Sequence, residues 1–337
     1  MARFRDLGGG LYWSSCPDDD LLETLAKRGL GLVVDLTEEE CQYSVPSGVD
    51  RVNYPIPDFS FRAFEGVLVK AVLPSLRYLE SGRGVLVHCY GGIGRSGSTV
   101  AMILALRDGS SFEGVLRRLR RLGYENETLS QALAVRWFYR VKGLLDVGFL
   151  ERLLLELEDE GYWKFLDHAS SVAGVALDVL ESLSGIYGFD RRDYVNAYLA
   201  GLLHDVGRVL GPEERHHEVG AEWVKRNPLL RGVCDVDIVS FAVYHHRRKT
   251  RLTEDPRIER LGVKAGVIAA AVRLGDAFKN AYAGEGTYVG TELRGSRLVI
   301  VINGHLNKGV DKRRIEEKAK ALEELDRSIA VEVEEEL

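Results

Sequence analysis

His88-Cys89-Tyr90-Gly91-Gly92-Ile93-Gly94-Arg95-Ser96-Gly97-Ser98 follows the apolar run Val85-Leu86-Val87 and precedes a helical run, Thr99 to Leu106. A strand, a Gly-rich loop and a helix N-terminus make a pocket lined by backbone N–H groups, which suits a dianion. Cys89 at the base of that pocket lies where the helix dipole and the converging amides favour negative charge. The thiolate so favoured suits attack on a phosphate ester and a thiophosphoryl intermediate. Arg95 offers a planar fork that matches two non-bridging phosphate oxygens. Gly91, Gly92 and Gly94 let the loop turn its amides inward, with Tyr90 and Ile93 completing the cradle. Ser96 is placed to hydrogen-bond the Cys89 sulfur and help it leave in a second step. A buried cysteine beside a glycine turn is the plainer alternative. The Arg and Ser spacing, three glycines and the preceding strand argue against it.

These residues resemble the protein tyrosine phosphatase superfamily, its dual-specificity branch in particular. The resemblance runs from about Gly10 to Lys142 and includes Tyr12-Trp13-Ser14-Ser15 and Leu32-Val33-Val34-Asp35-Leu36. It implies an α/β phosphatase fold, a central sheet flanked by helices, that needs no cofactor. It also implies an Asp general acid on a loop upstream of the cysteine. Tyr54-Pro55-Ile56-Pro57-Asp58-Phe59 fits that loop, and Asp58 would protonate the leaving group and then activate water. Gln131 would help place that water. No Asn-Arg-Tyr-like element of the strictly tyrosine-specific enzymes is present, so a shallower pocket is expected. Tyr90 to Gly94 carries no Lys or His, unlike many relatives acting on inositol lipids or RNA ends. The expected substrate is a phosphoprotein or small phosphoester: phosphotyrosine, with some phosphoserine or phosphothreonine.

The chain has 337 residues, 45% hydrophobic and 28% charged, a length that favours two domains. Its net charge of −6 gives no polyanion-binding surface, so no nucleic-acid partner is expected. No membrane is expected either, because no apolar run reads as long enough to span one and the start leads into no signal-peptide core. The basic run Arg117 to Arg121 reads as a solvated helix face. Cys16, Cys41, Cys89 and Cys234 show no metal spacing and no disulfide framework, which fits a reducing cytoplasm. Oxidation would pair Cys16 or Cys41 with Cys89. Few Met and Cys beside abundant charge point to a thermophile.

After Lys142, helical periodicity takes over, and Leu150, Leu153, Leu154 and Leu157 predict a connecting helix. Six of the eight histidines lie between His168 and His246. His204-Asp205 ends one apolar helix and Asp276 lies in another, where an unpaired carboxylate would be costly. A divalent cation supplies a reason for both: Mn, Fe, Co, Ni or Zn, or Mg at a carboxylate-rich site.

This constellation resembles the HD superfamily of metal-dependent phosphohydrolases, a mainly α-helical fold. The resemblance implies that His168, His204, Asp205 and Asp276 hold one metal and that His216, His245 and Asp205 hold a second. His246 would be an extra ligand. Arg208 stands where relatives commonly have Lys and would meet a phosphate oxygen. His217 and His305 read as structural or surface groups. From Thr287, two strands, a helix over Asp311 to Leu325 and a last strand form a small α+β segment, similar to the end of exopolyphosphatase relatives. The expected domains are 1–146, phosphatase-like; 147–285, HD; and 286–337, packed with the HD domain. Together they predict a bifunctional phosphohydrolase whose second site takes a nucleotide or polyphosphate. The alternative is a phosphatase whose HD domain is a non-catalytic metal and nucleotide sensor.

Overall fold

A computed structural model describes residues 3–278, 280–282, 288–303 and 311–336. Thr287, His305 and the expected boundary at 285/286 lie outside the described residues. The chain divides into two compact units: Arg140 and Val141 fall in different units, and Tyr282 belongs with the first.

In the first unit, β1 (Phe4–Asp6), β2 (Leu11–Ser14), β3 (Leu30–Asp35), β4 (Asp50–Asn53) and β5 (Gly84–His88) form one sheet. Their order is β1-β2-β5-β3-β4. Only β1 pairs antiparallel; β2, β5, β3 and β4 run parallel. Strands β3 and β5 are buried along their whole length, as expected of central parallel strands covered on both faces. Tyr12, Leu22, Leu25, Leu30, Val33 and Leu86 form a core on the side of the helix Asp19–Ala26. The helix Gly94–Arg107 packs on β2 and β5.

The register matters for function. Ser14, His88, Asp35 and Asn53 stand in one row across β2, β5, β3 and β4. Because those strands are parallel, the segments that follow them all emerge at one edge of the sheet. These segments carry Cys16, Cys89, Glu39 and Asp58. A buried polar network closes that edge. Asp35 Oδ1 accepts from Thr37 N and Oγ1 at 2.9 and 2.6 Å, and its Oδ2 pairs with Arg51. Tyr43 Oη lies 2.8 Å from His88 Nε2.

The second unit is helical. Its main helices are Val147–Asp159, Leu166–Tyr187, Arg191–Leu203, His216–Arg226, Val236–His245 and Val263–Gly275. Leu150, Leu153, Leu154 and Leu157 are all buried, so the apolar stripe of the first helix is covered within the fold. Helices Leu166–Tyr187 and Arg191–Leu203 approach closely at Gly201, where a Cβ would come 2.5 Å from Ala173 Cα. After them come β6 (Tyr288–Arg294), β7 (Arg297–Asn303), the helix Lys312–Leu325 and β8 (Ala330–Glu336). The order is β6-β7-β8, with β6 antiparallel and β8 parallel to β7. Sheet with helices, then helical region, then small α+β segment is the architecture expected from the sequence.

Two expectations are corrected. Tyr162–Tyr187 is long and apolar enough to cross a membrane by length and composition, although 72% of its apolar window is buried inside the fold. It is apolar because it is a core helix. Cys16 and Cys41 form a disulfide with each other, while Cys89 and Cys234 are free. Spacing along the chain did not show this pair, because strand register brings it together.

His88 is fully buried, and burial pushes its imidazole down to about 4, against the opposing pull of Asp35. A base whose folded value lies below its free value of 6.5 contributes full stability above that value. That stability is lost as the pH falls towards about 4. The chain is expected to lose about 2 kcal/mol from this group between pH 7 and pH 5. Denaturant unfolding of the wild type and of His88→Gln at both pH values checks this. An identical pH slope in the two proteins would rule it out.

Candidate active sites

Cys89 sits at the end of β5, 2% exposed. Its Sγ accepts the Gly92 N–H at 3.3 Å and lies 3.1 Å from Ser96 Oγ. Trp13 Nε1 donates to that same Ser96 oxygen at 2.8 Å. With its acceptor side so engaged, the Ser96 hydroxyl has its own proton free for the sulfur. The helix Gly94–Arg107 begins at Ile93, whose own side chain gives no cap hydrogen bond, and its N-terminal end faces the loop.

Gly92 adopts φ +66°, and a Cβ there would collide with the Ser15 amide. A Cβ on Gly94 would overlap Gln131 and Glu127. Gly91 differs: it has an ordinary φ and open space around it, so the steric need for glycine is strict at Gly92, whereas at Gly94 only the ends of two side chains would have to move. Arg5, stacked 3.9 Å over the Trp13 ring, donates to the Gly92 carbonyl at 3.0 Å. Tyr90 is 56% exposed at the loop surface.

Arg95 is buried with three hydrogen bonds and a further ion-pair contact. Nη1 donates to Ile56 O at 2.9 Å, and Nη1 and Nη2 donate to the two Glu39 oxygens at 2.8 and 2.6 Å. Nη2 also lies 2.9 Å from Asp58 Oδ1. Burial opposes the Arg95 cation, yet Glu39 more than offsets this and holds the guanidinium above its ordinary value. Arg95 in turn draws the Glu39 carboxyl down, against burial. Asp58 is half exposed and is followed by Phe59 in the left-handed region at φ +47°, which turns the loop. Gln131 is buried, and its Oε1 accepts the Glu127 N–H at 2.9 Å, while Glu127 accepts the Gly94 N–H at 3.0 Å. The Gln131 amide thus lies against Gly94 and also holds the Glu127 backbone.

In the second unit, the residues after the Arg191–Leu203 helix gather two groups of converging ligands. His168, His204 and Asp205 form one, and Asp205, His216 and His246 the other. His204 Nδ1 faces Gly201 O at 2.7 Å, His216 Nδ1 faces Glu213 O at 2.5 Å, and His246 Nδ1 faces Val243 O at 2.6 Å. A carbonyl only accepts, so each Nδ1 carries a proton and each ring turns its Nε2 towards the group as the atom that could ligate. His216 and His246 Nε2 face each other at 3.1 Å, and His168 and His204 Nε2 at 3.2 Å. Asp205 Oδ1 lies 3.3 Å from His216 Nε2 and 3.6 Å from His246 Nε2, buried with no hydrogen-bond partner among the described residues. Facing ring nitrogens around an unpaired carboxylate oxygen fit divalent cations. Asp205, present in both groups, would bridge them.

His245 is corrected as a ligand. Its Nε2 lies 3.0 Å from Asp255 Oδ2, away from both groups, and His246, one position along at the helix end, takes the place assigned to it. Asp276 Oδ1 lies 3.3 Å from His168 Nε2, and its other oxygen pairs with the buried Lys318. Burial disfavours charge on Asp276, but His168 and Lys318 hold its carboxyl well below the usual range. Arg208 turns onto Asp205 Oδ2 at 2.6 Å and onto Glu213, and its side chain is 28% exposed. His217 is partly buried beside Tyr244.

Sequence reasoning missed Glu39, Glu127, Arg5 and Lys318. Trp13 stands in the Tyr12-Trp13-Ser14-Ser15 motif, which carries no sign of its bond to Ser96. Glu39 lies in the run Glu38-Glu39-Glu40, where no residue stands out.

Gly92→Ala is expected to weaken vanadate binding at least about 100-fold, whereas Gly91→Ala stays within about twofold. Calorimetric titration of both variants decides this, and equal losses would count against the loop geometry. His246→Ala is expected to reduce the bound divalent metal, read by atomic emission, while His245→Ala retains it. The reverse pattern would restore His245 as the ligand.

The DSP-PTPase phosphatase family of polymorphic toxin systems matches residues 7–109, and the HD domain family matches residues 165–280. Among solved structures, Tk-PTP in its active form is 30% identical over 41% of this chain and 97% of its own, with a TM-score of 0.37. Human DUSP28 is 16% identical over 42% of this chain and 95% of its own, TM-score 0.37. PTPMT1 in complex with PI(5)P is 18% identical over 41% and 95%, TM-score 0.37. No curated protein matches the chain. The chain joins a phosphatase domain of the dual-specificity and tyrosine phosphatase type to an HD domain.

Proposed function

We propose that the chain is a two-site phosphohydrolase, cysteine-dependent at the first site and metal-dependent at the second. The observation that carries the first is the convergence of Cys89, Ser96, Arg95 and Asp58 on one loop. The Cys89 thiolate attacks phosphorus, the ester P–O bond breaks, and Asp58 gives its proton to the departing oxygen. Asp58 then takes a proton from water, which attacks the thiophosphoryl group. The S–P bond breaks, with the Ser96 hydroxyl donating to the departing sulfur. Arg95 and the loop amides hold the phosphoryl oxygens throughout. Phosphotyrosine is the first substrate class, with phosphoserine and phosphothreonine behind it. The exposed rings of Phe59 and Tyr90, which neighbour Asp58 and Cys89 in the chain, suit an aromatic ester.

At the second site, His168, His204, Asp205 and Asp276 would hold one divalent cation, and Asp205, His216 and His246 another. Bound there, the cations would supply an activated water and a Lewis acid for hydrolysis of a nucleotide or polyphosphate. The buried, unpaired Asp205 Oδ1 supports this reading.

Cys89→Ser is expected to lower para-nitrophenyl phosphate turnover by about 10⁴-fold, with chelator leaving the wild type unaffected. Asp58→Asn should slow alkyl phosphates by about 100-fold and phenyl esters less, because a good leaving group needs less protonation. Equal slowing would remove Asp58 as the acid. Phosphate release by the Cys89→Ser protein from nucleotides or polyphosphate, stopped by chelator, would establish the second activity. Bound metal without release would make that domain a sensor.

A further inference from the structure

The segment 37–44, between β3 and β4, is held at both ends. Thr37 hydrogen-bonds Asp35, and Tyr43 and Ser44 reach His88 and Asp19. Glu39 sits between these anchors and touches Arg95 with both oxygens. Two residues further on, Cys41 is bonded to Cys16. Cys16 is itself part of the wall behind the phosphate loop: its N–H donates to Tyr90 O at 3.0 Å, and Gly92 packs on Ser14 and Ser15. The disulfide thus ties the middle of the Glu39 segment to the backing of the loop that holds Cys89.

The way Glu39 uses Arg95 decides what this linkage does. A guanidinium presents two forks to an anion, Nη1–Nη2 and Nε–Nη2. Glu39 occupies the Nη1–Nη2 fork, and Ile56 O takes the remaining Nη1 proton. On the Nε–Nη2 side, the contact is Nη2 with the half-exposed Asp58, the group that must swing to the leaving oxygen. Glu39 therefore does not compete with phosphate. It fixes the plane in which the second fork faces the pocket.

We infer that the Cys16–Cys41 disulfide is a redox latch on phosphate recognition, acting through Glu39 as a positioning residue for Arg95. This rests on the reading of the Cys89 loop as a phosphate pocket. A dithiol opens the latch: the S–S bond breaks, each cysteine sulfur takes a proton, and the reductant is oxidised to its own disulfide. Both sulfurs belong to partly exposed residues, and Cys41 lines an open cleft of about 750 Å³ with Asp18, Gln42 and Tyr43. Once open, the Glu39 segment regains conformational freedom between its anchors, and ordering Arg95 for phosphate then carries an entropic cost.

The test uses the full chain carrying Cys89→Ser, so that oxidation of the nucleophile plays no part. Inorganic phosphate is titrated calorimetrically into the oxidised protein and into the same protein after dithiothreitol, with thiol counts confirming each state. Reduction is expected to raise the phosphate Kd by about fivefold. Cys16→Ser with Cys41→Ser should bind like the reduced protein in either condition. Glu39→Gln, which keeps the disulfide, should weaken binding and abolish the redox difference. Equal Kd values in the oxidised and reduced protein would overturn the latch while leaving the pocket intact. So would a redox difference that survives Glu39→Gln. Absence of phosphate binding in the oxidised protein would overturn the pocket reading and the latch together.

Discussion

A guanidinium with only 3% of its side chain exposed has to be paired, and the first unit is organised around pairing Arg95. Under the proposed function, a buried cation would meet phosphate in a water-poor pocket where its charge acts strongly. Burial without partners would cost several kcal/mol. Glu39 and the Ile56 carbonyl meet that cost from one side and leave the other side to Asp58. The partners come from the segments after β3 and β4, and the arginine from the loop after β5. Only a parallel arrangement delivers all three segments to one edge, so the sheet topology and the chemistry have the same cause.

The second unit meets the inverse problem. Its site gathers electron pairs in place of a cation. Histidine protons are fixed on Nδ1 by the carbonyls one turn back, and Asp205 Oδ1 is left with no donor. Arrangements of this kind repel one another unless something positive lies between them. Lys318, on the helix of the C-terminal segment, already answers part of that demand at Asp276. That contact makes the small α+β segment a participant in the charge balance of the HD site.

Legibility followed chain locality. The Cys89 loop, its strand and its helix are contiguous, so spacing alone displays the cradle, and the His204-Asp205 doublet is legible for the same reason. The Asp58 loop was found through the resemblance, since an Asp after Pro57 reads equally well as a turn. His245 and His246 show where locality stops helping. Adjacent residues at a helix end differ by about 100° in direction, and only packing decides which one faces the ligands. Glu39, Lys318 and the Cys16–Cys41 bond depend on contacts between distant segments, in surroundings where charged or cysteine residues carry no local mark. Gly91 is the opposite error: three glycines in one loop invite one explanation, but only Gly92 meets backbone and a positive φ.

Glu39 also explains why the loop's own composition is a poor guide to its electrostatics. Read alone, Tyr90 to Gly94 is uncharged, and Arg95 is the one formal charge near the nucleophile. In the fold, Arg95 carries two carboxylates, so the pocket's net charge is set by residues outside the motif. Under the proposed function, an arriving phosphate dianion would meet a cation that is already partly neutralised. Binding would then depend on exchanging Asp58 for phosphate on one fork while Glu39 stays on the other. A site built this way favours the substrate only when the exchange is geometrically clean. The position of the Glu39 segment therefore bears as directly on recognition as the loop sequence does.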